Sequence, residues 1–242
     1  MSSRRPLYHS YAWAYDAIVA NPGGPTVEAV GRVFSDHGLG AGAPVVDAGC
    51  GTGRHAIGLA GAGFSVVGID RSLELIEQAR ARAGRERSSA TFEQGDLCTW
   101  RPDRSCAGVL CRGVLNDFLV EGERRRALAG LAGMLGSGGV LVADVREWTA
   151  SAARYAERPL IERTVETVRG PLTFRVDASL EPEARILRLH ETVSLGEQTE
   201  DFDFAMQCWL PDELETGLRG AGFDRIELSE GDRLRAVAVR SP

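Results

Sequence analysis

The chain has 242 residues, 43% of them hydrophobic, and a formal net charge of −6 from 28 basic and 34 acidic side chains. That length suits one α/β domain with an elaboration, and the acidic balance excludes the broad basic field that nucleic acid or an anionic membrane would require. All 28 basic residues are arginine, because the chain contains no lysine, and this excludes Schiff-base chemistry through a lysine.

No apolar run approaches a bilayer span. The opening Met-Ser-Ser-Arg-Arg-Pro lacks the apolar core of a secretory leader, so a cytoplasmic protein with no membrane partner is expected. Cys50, Cys98, Cys106, Cys111 and Cys208 form no Cys-x-x-Cys pair, and the four histidines are dispersed. Reduced thiols and no metal site are the expectation.

Residues 8–20 are aromatic-rich and predicted helical, up to the breaker Asn21-Pro22-Gly23-Gly24-Pro25. Thr26 is placed to cap a helix to about His37, with Val27, Val30, Val33 and Phe34 on one face. A first strand over 44–48 precedes a helix over 53–62, a second strand over 64–69 and a helix over 73–83. A short third strand covers 91–94 and a fourth covers 107–111. An arginine-rich helix over 121–135 stops at Gly136-Ser137-Gly138-Gly139, and a fifth strand follows over 140–145. Such alternation predicts βαβ units and a parallel sheet.

Past residue 158 the pattern changes to extended segments over 160–168, 173–180, 185–195 and 201–209, separated by turn residues. A last helix begins at Leu210-Pro211 and ends near Gly220, and 223–229 with 234–240 closes the chain as a hairpin-like pair. The expected fold class is α/β: a Rossmann-like, seven-stranded, mostly parallel sheet with helices on both faces. An antiparallel β insertion stands between the fifth strand and the last core helix. The organisation is one domain over 1–242, with lid helices over 1–37, a core over 38–158 and 210–242, and a cap over 159–209.

The most informative stretch is Val45-Val46-Asp47-Ala48-Gly49-Cys50-Gly51-Thr52-Gly53, with Asp70 ending the next strand. A glycine loop after a buried strand and a carboxylate at the second strand's tip suit a nucleoside-containing cofactor at the carboxyl ends of a parallel sheet. A dinucleotide fingerprint from Gly49 would need glycine at Arg54, and one from Gly51 would need it at Ala56. A smaller cofactor without phosphates fits better.

Asp47-Ala48-Gly49-Cys50-Gly51-Thr52-Gly53 resembles the first motif of class I S-adenosylmethionine-dependent methyltransferases. Gly68-Ile69-Asp70-Arg71-Ser72 with Leu75 resembles their second motif, and Gly95-Asp96-Leu97 their third. Leu135 to Val142 and Leu218 to Phe223 resemble the loop and fifth strand, and the entry to the sixth. The resemblance implies S-adenosylmethionine as cofactor and S-adenosylhomocysteine as product. It places Asp47, Gly49, Cys50 and Gly51 in the glycine-loop motif, Asp70 on the ribose hydroxyls, with Arg71 and Leu75 beside it. Gly95, Asp96 and Leu97 take the adenine end, and the backbone at Cys111 and Arg112 lies beside the methionine part. Tyr11-Ala12-Trp13-Ala14-Tyr15-Asp16 resembles the aromatic lid of small-molecule members, including glycine and amino-sugar N-methyltransferases, so Tyr15 is expected to reach the cofactor or the acceptor.

Methyl transfer from a sulfonium needs alignment and exclusion of water, and a general base only when the acceptor arrives protonated. Acceptor-side candidates are Tyr15, Arg112, Asn116 and Asp144. Arg112 suits an acceptor carboxylate or an ion pair with Asp117 or Asp144. Asn116 suits the acceptor or a local cap, and Asp144 is the base candidate by position. His9, His55 and His190 are expected to be structural. The partner is a small molecule such as an amine, an amino acid or a specialised natural product, and a homodimer through the cap is an analogy of fold. A protein that binds S-adenosylmethionine non-reactively and a nicotinamide-dependent oxidoreductase are the competing readings.

Overall fold

The computed structural model describes residues 5–19, 26–231 and 233–242. The predicted breaker at 21–25 lies outside them. Seven strands form the central sheet: β1 (Pro44–Ala48), β2 (Ser65–Asp70), β3 (Thr91–Gln94), β4 (Cys106–Arg112), β5 (Leu135–Val145), β10 (Phe223–Ser229) and β11 (Leu234–Arg240). Their order is β10-β11-β5-β4-β1-β2-β3, with only β11 antiparallel to its neighbours. The chain leaves β1 toward β2 and returns to β4 on its other side. This reversal opens a crevice at the carboxyl ends of β1 and β4, where a cofactor belongs in such sheets.

Both faces of the sheet are covered, which is why its central strands read as unbroken apolar runs. Val45, Leu110 and Val142 pack against α2 (Val27–Asp36), α3 (Arg54–Gly61) and α4 (Leu73–Glu86). Val46, Val109, Cys111 and Ala143 pack against α5 (Glu121–Met134) and α7 (Pro211–Gly220). The helix starts follow the capping chemistry of the sequence: Thr26 Oγ1 accepts from Ala29 N, and Ser72 Oγ accepts from Leu75 N. The fifth strand starts earlier than expected. Leu135 already pairs with Cys106, and Gly136–Gly139 bulges out before Val140 resumes opposite Gly108.

The insertion is a four-stranded antiparallel meander of β6 (Leu160–Thr167), β7 (Gly170–Glu181), β8 (Ile186–Leu195) and β9 (Gln198–Gln207). A helix absent from the sequence reading, α6 (Trp148–Glu157), leads into it. Glu147 caps that helix by accepting from Thr149 N and Ala150 N. The aromatic N-terminal segment also differs from expectation. Two 3-10 turns, Pro6–Tyr8 and Ala12–Ala14, precede the single turn α1 (Tyr15–Ile18). Leu7, Tyr11, Ala14 and Ile18 keep the spacing of one helical stripe and bury against the cap sheet, although the segment is broken into short turns.

Candidate active site

The glycine loop between β1 and α3 holds Gly49, Gly51 and Gly53 at φ of +79°, +53° and +77°, the left-handed region that favours glycine. Their surroundings separate their roles. A Cβ on Gly49 would stand 2.1 Å from Val114 Cγ2, and one on Gly53 would stand 2.7 Å from the Phe92 ring. At Gly51 the nearest atom is Tyr15 Cε1 at 3.9 Å. Two of the glycines therefore let the loop pack, and Gly51 leaves backbone open beneath Tyr15. Gly49→Ala is expected to lose about 2–4 kcal/mol of stability, from the left-handed backbone and the clash together. Urea unfolding measures it, and an unchanged midpoint would refute the packing role.

Asp70 ties the crevice together. Gly51 N donates to Asp70 Oδ2 at 3.0 Å, and Ser72 N donates to Oδ1 at 2.9 Å. A carboxylate has about four lone-pair positions, so one on each oxygen stays available for a pair of hydroxyls. Burial pushes the Asp70 carboxyl up, opposed by those backbone donors. Gly95 N donates to Asp70 O at 2.9 Å, which brings the third motif alongside. Arg71 Nε lies 3.5 Å from Asp96 Oδ2, whose partner oxygen accepts from Cys98 N. Leu75 and Leu97 are buried beneath these groups.

The remaining expected site residues differ in what they present to the crevice. Asp47 is buried under the loop, and its Oδ2 accepts from Ala56 N at 3.1 Å, so it anchors α3 rather than facing the crevice. Burial pushes its carboxyl up to about 7, against the nearby Arg112 charge and the Ala56 bond. The Cys50 thiol is likewise raised by burial and by Asp47 and Asp70. The Cys111 side chain is fully buried, leaving only its backbone for a ligand. A Cβ on Gly95 would meet Trp100 at 2.8 Å, which makes this glycine a packing position.

Of the acceptor-side expectations, Asp144 as base and Asn116 as acceptor ligand or local cap need correction, and Arg112 takes the ion pair with Asp144 that was one of its two readings. Asp144 is 1% exposed and held by two arginines: Arg112 Nε reaches Oδ2 at 2.7 Å, and Arg233 Nε reaches Oδ1 at 2.7 Å. A carboxylate buried and neutralised by two guanidiniums is closed to an acceptor's proton. Arg112 is thereby an ion-pair partner rather than a ligand for acceptor carboxylates, and its Nη1 also meets His55 Nε2 at 2.7 Å. Asn116 is 1% exposed; its Nδ2 donates to Gln207 O and its Oδ1 accepts from Arg146 N, joining the sheet tips to the cap.

Asp117, one residue on, is the group the sequence reading did not assign to the acceptor. It closes the 3-10 turn Leu115–Asp117 after β4 and is solvent-accessible. Among the described residues its carboxyl has no hydrogen bond or ion pair. Enough protein surrounds it that desolvation lifts it to about 6, with Arg5, Arg146 and Arg71 opposing and Asp70 reinforcing the rise. Its charge reaches both Tyr8 and Tyr15, whose hydroxyls are raised chiefly by burial. The local signal was a second polar residue at a strand tip, but nothing in the sequence says which of Asn116 and Asp117 turns inward.

The N-terminal segment is fastened on both sides. Thr52 Oγ1 donates to Asp16 Oδ1 at 2.7 Å, Arg82 pairs with Asp16 at 2.9 Å, and Ser72 Oγ donates to Tyr8 O at 2.5 Å. On the cap side Arg5 pairs with the fully buried Glu191 at 2.6 Å and stacks over Phe204. Tyr15 stands between these fastenings with its ring centroid 6.0 Å from that of Tyr8. Tyr11 is buried, and Arg169 lies over Trp13, so those two aromatics staple the segment. His9 pairs with Glu74, and His190 with Asp203 on the cap surface.

S-adenosylmethionine is tested against these residues by two observations: open backbone at Gly51 and unused acceptor positions on Asp70. Both fit. Among the described residues no cluster of three His, Cys, Asp or Glu could hold a metal, and no helix is long and apolar enough to cross a membrane.

Comparison with known proteins agrees with the geometry. Residues 45–139 match a family model described as a methyltransferase domain. A Geobacillus sp. (strain WCH70) protein, whose own methyltransferase assignment is provisional, is 30% identical over 57% of this chain and 57% of its own length. The glycine/sarcosine N-methyltransferase of Aphanothece halophytica is 31% identical over 48% of this chain and 44% of its own. The matches thus span about half the length of these curated relatives. Among solved structures, a sugar N-methyltransferase from Streptoalloteichus sp. ATCC 53650 superposes with a TM-score of 0.77 at 20% identity, covering 100% of this chain and 97% of that one. An S-adenosylmethionine-dependent methyltransferase from Clostridium acetobutylicum ATCC 824 gives 0.76 at 12% identity, covering 98% and 100%. With its glycine loop, Asp70 and sheet order in place, the chain matches a methyltransferase-domain model over residues 45–139 and has the fold of S-adenosylmethionine-dependent methyltransferases.

Proposed function

We propose that this protein methylates a nitrogen of a small amine or amino compound, with S-adenosylmethionine as donor. Bound in the crevice, that cofactor supplies an activated methyl group on a sulfonium. The chain's task is to orient and to exclude water. Asp70 and the Gly51 backbone hold the cofactor, and Tyr8 and Tyr15 cover it. The single observation that carries the choice of acceptor is Asp117: an exposed carboxylate with no hydrogen bond or ion pair among the described residues, whose charge reaches Tyr15. An ammonium acceptor would donate a proton to an Asp117 oxygen, and the freed nitrogen lone pair is the nucleophile. The names of the halophytic relative and the sugar N-methyltransferase also speak for nitrogen.

The sign of the pH effect follows from the ionised form being the working one. Burial raises Asp117 to about 6, so the active carboxylate is lost as pH falls through that value. kcat/KM is expected to drop about tenfold per unit below about pH 6. Asp117→Asn is expected to lower kcat/KM about 100-fold and to remove that limb of the profile. Methyl-labelled S-adenosylmethionine with a panel of amines measures both. Tight S-adenosylhomocysteine binding with no label in any amine would sink the proposal and favour non-reactive use of the cofactor.

A further inference from the structure

A cleft of about 530 Å³ opens between α6 and β6. Four arginines line it: Arg146, Arg154, Arg158 and Arg163. Among the described residues none of the four forms an ion pair with a carboxylate. Arg146 Nε touches only Met206 Sδ, at 3.3 Å, and Arg163 Nη1 reaches the Ile18 carbonyl at 3.4 Å. Such isolation is unusual in a chain with more acidic than basic residues. Arg5, Arg112 and Arg233 all find carboxylates at short range. Two acids share the lining, Glu157 and Glu162, but Glu162 is drawn to Arg175 at 3.8 Å.

The arrangement is also held in place. The Arg146 and Arg154 guanidiniums lie 5.8 and 5.9 Å from the ring centroid of the buried Tyr155, which positions both before any ligand arrives. Uncompensated like charges gathered in one concavity repel each other, and an anion relieves that repulsion. The lining carries four positive and two negative side chains, so a ligand with at least two negative charges balances it. Planar guanidiniums bind phosphate oxygens in bidentate fashion, and the volume lies in the range of small-molecule sites.

We infer that the α6–β6 cleft is an anion site for a phosphorylated small molecule, gripped by Arg154, Arg158 and Arg163 with Arg146 at its inner end. The confinement of this charge to one cleft of a protein with net charge −6 favours a small ligand over a polyanion.

Calorimetric titration of the full chain with pyrophosphate tests this. The expected result is saturable binding at one site that weakens as salt rises. Arg154→Gln and Arg158→Gln are each expected to raise the dissociation constant at least tenfold, with Arg225→Gln on β10 leaving it unchanged. Absence of saturable binding overturns the inference, and so does an equal loss in all three variants or in none. Tighter capture of a single-stranded oligonucleotide through the same arginines overturns the small-ligand assignment. S-adenosylhomocysteine titrated into the same samples reports separately on folding and on the cofactor site.

Discussion

Asp70→Ala is expected to weaken S-adenosylmethionine binding by about 2–4 kcal/mol, roughly a 30- to 1,000-fold rise in Kd. The loss has two sources. One is a pair of charge-assisted hydrogen bonds to ribose hydroxyls, for which each Asp70 oxygen keeps a free acceptor position. The other is the loop itself, because Gly51 N and Ser72 N both end on this carboxylate. Asp70→Asn separates them. Its single carbonyl oxygen keeps one backbone bond at most, and its amide is no substitute for the second acceptor. An intermediate loss is therefore expected for asparagine and the full loss for alanine, both by calorimetry. Wild-type affinity in a folded alanine variant would show that Asp70 does not hold the cofactor.

Asp144→Ala is expected to destabilise the fold by about 3–5 kcal/mol, the range for removing one partner from a buried ion pair. Two guanidiniums converge on this carboxylate, and their side chains are only 12% and 13% exposed. Truncation leaves both without a counter-charge, and burial already pushes the Arg233 guanidinium down. Denaturant unfolding gives the magnitude. The rescue is specific: Asp144→Leu combined with Arg112→Leu and Arg233→Leu is expected to recover much of the loss, since an apolar triplet buries no charge. A loss below about 1 kcal/mol would return Asp144 to consideration as a base.

How much of this was legible differs from element to element. The strands of the sheet and most of its helices were readable because each is a local pattern: an apolar run, an amphipathic stripe, a cap at Thr26 or Ser72. The N-terminal segment was not, because its winding follows from fitting several aromatic side chains against a sheet more than 150 residues away. Helix α6 was hidden for a related reason. Its start depends on Glu147 capping it, and its one large buried side chain, Tyr155, joins the core beneath the cap sheet. The glycine loop and Asp70 were legible, and which of the polar groups at the strand tips stay unpaired was not.

That division has a physical cause. A loop that must turn through three left-handed positions admits glycine and little else, and a carboxylate needed at the tip of the neighbouring strand sits at a fixed topological distance. Both requirements are written in a span of some twenty-five residues, so the sequence by itself determined the glycine loop, Asp70, the doubly covered sheet and the inserted cap. Which polar side chains stay free is a question of long-range packing. Asp144 is taken by Arg233, Asn116 by the Gln207 carbonyl and Arg5 by Glu191, partners 89, 91 and 186 residues apart. Burial without a partner costs several kcal/mol, and such partners meet only once the chain has folded. The tertiary structure alone decided that Arg112 and Arg233 clamp Asp144, that Asp117 has no hydrogen bond or ion pair among the described residues, and that four arginines line one cleft beside α6 and β6.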